Sequence, residues 1–429
     1  MNQIIEGNCI DVMKGFEENT IDCIATDPPY GISMMGKEWD KALPPKEAFI
    51  QMIRVLKPGA LAFVMSSPRQ DVMWRMGELL ETSGFSLKQS FMSWIYNSGF
   101  PKSFDISKNI DKKLGLERTK ISDNPNSRPN CSPDNTLYEF GSTGKIGEIT
   151  APASDLAKKW SGWKSVTGLK PALEVIFMVQ KPLSEPTIVD NVLKWGTGAM
   201  NVDGCRIPLN GKNTQPFQFK ARSTNVYGEQ GRVDAPEDRE QNEKGRFPAN
   251  ILVSDDALND GKKTISHIIP EGTPNDLGKQ GIYNDFNVIT NERGFDDEGS
   301  SSRYFDLDAW AEHNGIIQVP KASSGERDEG LTGENNKCGT LKGENIHKYP
   351  ERKNIHPCVK PVKLMAYLIT LGCPKNGVVL DPFVGSGTTC VAAKRLGRKW
   401  IGIELDPEYF KIAKNRVEAE FEWLDNIFI

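Results

Sequence analysis

The chain has no C-x-x-C pair among its eight cysteines and only four histidines in 429 residues. Zinc sites and thiol redox motifs need such spacings, so no metal is expected. No apolar run approaches the ~20 residues that cross a bilayer. Met1-Asn2-Gln3-Ile4-Ile5-Glu6-Gly7 has no basic stretch leading into a hydrophobic one. Neither a membrane span nor a secretory signal is expected, and the cysteines read as reduced thiols of a cytoplasmic protein. A positive balance is missing too: 53 Lys and Arg against 57 Asp and Glu give −4. That total does not exclude nucleic acid, because a groove needs only local positive charge.

What is present is an alternation of strand and helix at both ends, with a polar middle. Ile21–Thr26, Leu61–Met65 and Phe91–Tyr96 read as strands, with helices over Pro45–Leu56 and Gln70–Ser83. Such alternation predicts a parallel sheet covered by helices on both faces. Asp123–Gly147 and Thr332–Lys348 read as loop, while Val175–Val179 fits a central strand rejoining the sheet. Short strand-like islands stand at Asn250–Val253 and Ile316–Val319. Order returns with a helix over Leu364–Leu371, a strand over 377–380, a helix over Thr389–Leu396, a strand over Trp400–Glu404 and a final helix from Pro407 to about Glu420. The expected fold is α/β, a doubly wound Rossmann-like sheet with a large insertion. Its parts are 1–183, 184–350 and 351–429.

Asp381-Pro382-Phe383-Val384-Gly385-Ser386-Gly387-Thr388-Thr389 follows the strand at 377–380. Glycine allows positive φ and close approach of a ligand, and the following helix start offers free N–H groups. Glu404 ends the next strand, placed to accept from both hydroxyls of a ribose. A triphosphate loop would need a Lys after Gly387, and a dinucleotide loop a third glycine where Cys390 stands. S-adenosylmethionine, with a ribose and no phosphate, fits the pattern better than either. Asp406 reads as the N-cap before Pro407.

Asp27-Pro28-Pro29-Tyr30 ends the strand Ile21–Thr26. An exocyclic base amine is a poor nucleophile because its lone pair is delocalised into the ring. Asp27 and the Pro28 carbonyl can accept its two N–H bonds and turn the lone pair outward. Pro28 and Pro29 fix the backbone that holds this carbonyl. Tyr30 offers a face on which an extruded base could stack, offsetting part of the cost of flipping. An ordinary strand-ending turn is the competing account of the tetrapeptide.

These segments, together with His356-Pro357-Cys358-Val359-Lys360-Pro361 and Gly402-Ile403-Glu404, resemble the DNA amino-methyltransferases in their permuted beta arrangement, most nearly the phage-type adenine-N6 methylases. The likeness covers about 1–110 and 354–420. It implies methylation of the N6 amine of adenine in double-stranded DNA with S-adenosylmethionine. The catalytic residues would be Asp27, Pro28, Pro29 and Tyr30. Asp381 would take the cofactor's amino group, Glu404 its ribose, and Phe383, Gly385, Gly387 and Thr388 would line it. His356, Lys360 and Pro361 would close over its methionine end. The family commonly has Gly-Asp-Cys where this chain has Gly7-Asn8-Cys9, so Asn8 would accept the adenine amine through its carbonyl. The resemblance further implies a bacterial or phage-infected cell, restriction-modification and, by analogy, a homodimer. Cytosine-N4 methylation, RNA or protein methylation and a silent binding module remain the alternatives.

Lys102, Lys108, Lys112 and Lys113, with Arg118 and Lys120, form a basic stretch suited to DNA phosphates. The region 184–350 would then read bases. Pro357-Cys358 resembles the nucleophile of cytosine-C5 methylases, but an amine needs no covalent catalyst, so Cys358 reads as a packing residue. Trp160, Trp163 and Trp195 read as core.

Overall fold

The computed structural model describes residues 1–32, 38–97, 103–123, 148–165, 169–170, 172–209, 245–266, 297–316, 327–328, 331, 354–356 and 358–425. Lys102, Pro357, the segment 332–348, and most of the expected loop at 123–147 and of the island at 316–319 lie outside them.

Among the described residues, eight strands make the central sheet. In spatial order they are β1 (Gln3–Glu6), β12 (Lys399–Glu404), β11 (Val378–Asp381), β2 (Ile21–Thr26), β3 (Leu56–Ser66), β7 (Leu173–Gln180), β4 (Met92–Ile95) and β8 (Ile251–Val253). The first five run parallel, as do β4 and β8. β7 is antiparallel to both its neighbours, which corrects the all-parallel expectation. Its physical origin is the connection: the chain leaves β4 and re-enters at the same sheet edge, so the returning strand must run backwards. The island at Asn250–Val253 proves to be the edge strand of this sheet.

Alternation along the strands separates two apolar layers. Cys23, Ala25, Leu61, Phe63 and Met65 face α8 (Val362–Gly372) and α9 (Thr388–Arg395), with Trp310 of α7 (Leu307–His313) in the same layer. Ile24, Ala62 and Val64 face α2 (Lys46–Val55) and α3 (Gln70–Thr82), whose Phe49, Met52, Met76 and Leu80 are buried. Each such side chain contributes roughly 1.5–3 kcal/mol on burial. α1 (Cys9–Lys14) follows β1, and α10 (Pro407–Asp425) follows β12. Asp22 ties the two ends of the chain together, accepting from Lys57 Nζ at 2.6 Å and from the Val378 N–H at 2.8 Å.

Between β4 and β7 lies a small unit of α4 (Ile106–Lys113), α5 (Asp155–Lys159) and the ribbon β5 (Lys120–Asp123) with β6 (Glu148–Thr150). Asp111 is fully buried at its centre. Its carboxylate accepts from Arg118, Ser154 and the Ala153 N–H. The remaining elements are α6 (Ile188–Trp195) and the ribbon β9 (Thr264–Ser266) with β10 (Asp297–Gly299). Among the described residues no helix is long and apolar enough to cross a membrane.

Candidate active site

Because β1, β2, β11 and β12 are parallel, their C-terminal ends share one sheet edge. Asn8, Asp27, Asp381 and Glu404 therefore converge there around a cavity of 710 Å³. That size suits a small-molecule ligand.

On the β11 side, Asp381 is 3% exposed and engages both oxygens in fixing the loop. Its Oδ1 accepts from Thr26 Oγ1 at 2.6 Å and the Phe383 N–H at 3.0 Å, and its Oδ2 from Thr389 Oγ1 at 2.5 Å. Burial pushes its carboxyl up to about 6. The Thr26 bond couples the amine strand to the cofactor strand. Glu404 Oε2 accepts from the Gly385 N–H at 2.8 Å, and Oε1 from the Asp406 N–H at 2.9 Å. Burial raises Glu404 to about 7. Asp406 caps the last helix as expected, accepting from the Glu408 N–H at 2.8 Å.

The two loop glycines do different work. Gly385 has φ +53°, and a Cβ there would come within 2.9 Å of His356 Nε2, so loop and imidazole are packed to the limit of a bare backbone. Gly387, at φ +89°, backs onto Ala413 of α10 at 3.0 Å and does not line the cavity. Its expected contact with a ligand is thereby corrected to a helix-packing role. Pro361 likewise stands off the wall as N-cap of α8. Phe383 and Thr388 do line it. Asn8 is on the wall too, with Oδ1 capping α1 through the Ile10 N–H at 2.9 Å.

Arg416 locks this loop from behind. It is 3% exposed and donates to the Ser386 carbonyl at 2.6 Å, Ser386 Oγ at 3.1 Å and Thr388 Oγ1 at 3.2 Å. Arg416→Met leaves buried acceptors without donors, so we expect a loss of about 1–3 kcal/mol in stability. Calorimetric unfolding checks this, and an unchanged melting temperature would refute the clamp.

On the β2 side, Asp27 Oδ1 accepts from the Tyr30 hydroxyl at 2.5 Å and Oδ2 from Lys360. Lys360 also lies 3.3 Å from Glu174 of β7. Burial alone would lower the Lys360 pKa, but Asp27 and Glu174 outweigh it and raise it, so the side chain is a cation. Its ammonium therefore stands against Asp27 on the wall of the cavity. Asp40 fixes the turn after the prolines, its Oδ1 accepting from the Tyr30 N–H at 2.8 Å and the Gly31 N–H at 3.0 Å. His356 packs edge-on to Tyr409 at 4.5 Å and stacks with Trp39 at 6.1 Å. Burial lowers it to about 4, so it is neutral. Cys358 is a half-buried wall residue and not core; burial pushes its thiol up to about 11, far from a nucleophilic thiolate.

Trp39, Asp40, Glu174, Tyr409 and Arg416 were not foreseen. Only Glu174 carried a signal, as a carboxylate directly preceding the apolar run of β7. In the basic stretch, Lys112 and Lys113 are exposed and Lys108 is half-buried on α4, where its N–H donates to the capping Asp105 at 3.0 Å. Arg118 is instead spent on Asp111 at 2.6 Å, and Lys120 lies 3.4 Å from Glu148. The tryptophans are not core: Trp163 is 60% exposed, and Trp160 and Trp195 are half-buried.

The type II methyltransferase M2.DpnII of Streptococcus pneumoniae is 54% identical over 67 residues, 16% of this chain and 25% of that protein. M.HindIII of Haemophilus influenzae is 44% identical over 93 residues, 21% and 30% of the respective chains. The chain thus spans about a quarter of the length of the first curated relatives it matches. The solved PvuII DNA methyltransferase (cytosine-N4-specific) aligns over 99% of this chain and 92% of that one, at 12% identity and a TM-score of 0.39. A family profile described as DNA methylase, of the N6/N4 class, matches residues 21–415. That span runs from the start of β2, before Asp27, into the last helix, past Glu404, and the chain belongs to this N6/N4 DNA methylase family.

Proposed function

We propose that the protein methylates the N6 amine of an adenine flipped out of duplex DNA, using S-adenosylmethionine. The observation that carries this is the Thr26–Asp381 hydrogen bond, which fixes an amine acceptor beside a nucleoside cradle in one cavity. The residues present fit the cofactor: a glycine loop with no room for a Cβ at 385, a carboxylate at the end of β12, and Thr388 where a phosphate loop would carry lysine. Glu404 would hold the ribose, Asp381 the amino group, and Asn8 the adenine edge. Phe383, Thr388 and His356 would shape the remaining wall. Bound there, the cofactor supplies an electrophilic methyl group on a sulfonium. Asp27 and the Pro28 carbonyl accept the two N–H bonds of the target amine, and Tyr30 supports the base. Adenine is favoured over cytosine by Asp at position 27, which matches the adenine-N6 members of the family. Sequencing with detection of modified bases, on DNA from cells expressing the protein, decides between N6-methyladenine and N4-methylcytosine. No methylation of either kind would overturn the reading.

Base recognition is assigned to 184–350 and phosphate contact to Lys108, Lys112 and Lys113. Neutralising Lys112 and Lys113 together should weaken specific and random duplexes alike and lower the salt slope by about two. Substitutions within 184–350 should change which sites are methylated, each lost base contact costing ~1–3 kcal/mol of discrimination. Binding titrations at several salt concentrations and a methylome read these two effects. An altered methylome from the lysine pair alone would reverse the assignment.

A further inference from the structure

Asp27 has both carboxylate oxygens engaged, one by the Tyr30 hydroxyl and one by Lys360. Each oxygen keeps a further lone pair, so Asp27 can accept an N–H from a base amine beside these partners, but the Lys360 ammonium cancels the negative charge with which it would do so. Tyr30 is anchored through its own backbone N–H on Asp40. Lys360 has a flexible four-carbon stem, but its side chain is only 11% exposed. An ammonium at that depth cannot simply be left unpaired, since that costs several kcal/mol.

Glu174 supplies the missing negative charge. Its Oε2 lies 3.3 Å from Lys360 Nζ, and its side chain is 19% exposed. It stands near the start of β7, bonded to the hydroxyl of Tyr96, which packs on Trp94 at 4.7 Å. Two carboxylates and one ammonium give the cluster a net charge of −1.

We infer that Glu174 is a positioning residue: it shares the Lys360 ammonium with Asp27, so that the acceptor of the target amine sits in a cluster that is net negative. This rests on the methyl-transfer reading. In that reaction the amine lone pair becomes the new N–C bond while the C–S pair stays on sulfur. Positive charge thus moves from sulfur to nitrogen, and is lost when nitrogen releases one proton to water. A net negative cluster at the amine favours that movement of charge. A neutral one does not.

Glu174→Gln keeps the bond to Tyr96 and the side-chain shape, and circular dichroism verifies its fold. It should slow single-turnover methylation about tenfold to a hundredfold, with cofactor affinity unchanged. A second measurement needs no cofactor: the affinity ratio of site duplexes carrying the target base or its counterpart without the exocyclic amine. Glu174→Gln should move that ratio about tenfold against the amine. Adding Lys360→Met should restore part of both losses, because it returns the cluster to a net charge of −1 by another route. Wild-type rate and ratio in Glu174→Gln would overturn the inference. So would losses that Lys360→Met fails to relieve, since a merely structural glutamate is not rescued by deleting its partner. A wild type that methylates no DNA fails the proposed function itself, a different outcome from an active wild type beside an equally active variant.

Discussion

Asp27→Ala is expected to lower the rate of methyl transfer by about 10³-fold, the scale of removing a preorganised electrostatic group from a transition state. Cofactor affinity should stay within a few-fold, because the nucleoside contacts assigned above come from β11, β12 and the loop after β1. The fold should survive: Lys360 retains Glu174, so no buried cation is stranded. Asp27→Asn keeps an acceptor oxygen and should retain part of the rate. Single-turnover kinetics with calorimetric titration of the cofactor checks both halves. Loss of cofactor binding in a folded Asp27→Ala protein would move Asp27 out of the amine site.

Glu404→Ala should weaken S-adenosylmethionine by about 1.5–3 kcal/mol, roughly 10- to 150-fold, through loss of charge-assisted bonds to ribose. The pH dependence carries an independent signature. Burial raises this carboxyl from 4.5 to about 7, so below that pH the protonated form prevails in the folded protein. Accepting from two hydroxyls needs the ionised form, so affinity should fall as pH drops from 8 to 6, by up to about tenfold per unit below the pKa. The sign for stability is the opposite. A raised folded pKa means the folded chain holds the extra proton, so this group's contribution to the unliganded protein is complete below 4.5 and lost as pH rises through 7. Isothermal titration of wild type and Glu404→Gln across this range reads the effect. A wild-type profile as flat as that of the glutamine variant would remove Glu404 from the ribose.

The cofactor loop and the amine tetrapeptide were legible because each is local. A buried strand, positive-φ glycines and a helix start fall within a dozen residues, and Asp27 to Tyr30 are contiguous. Strand existence was legible from apolar runs, but the direction of β7 was not, since Val175–Val179 reads the same either way. The Lys360–Asp27 pair spans 333 positions, so no spacing rule could join them. Arg416 and Asp40 act on backbone groups that only the folded chain presents. The tryptophans failed for a complementary reason: bulk and hydrophobicity argue for burial, yet nothing in a linear sequence says whether a covering layer exists.

The reversed strand fixes which excursions of the chain open toward the substrate. Exits from forward strands lie on the rim that carries Asp27 and Glu404, and so does the entry into β7. The excursion between β4 and β7, with Lys112, Lys113 and Trp163, therefore starts and finishes at the rim. The chain leaves β7 at the far rim, where Lys181 bonds the Leu56 carbonyl at the beginning of β3. β8, parallel to β4, then brings it to the catalytic rim at Ser254. Within 184–350, the stretch beyond β8 sets out from the catalytic rim, while the stretch before it sets out from the opposite one.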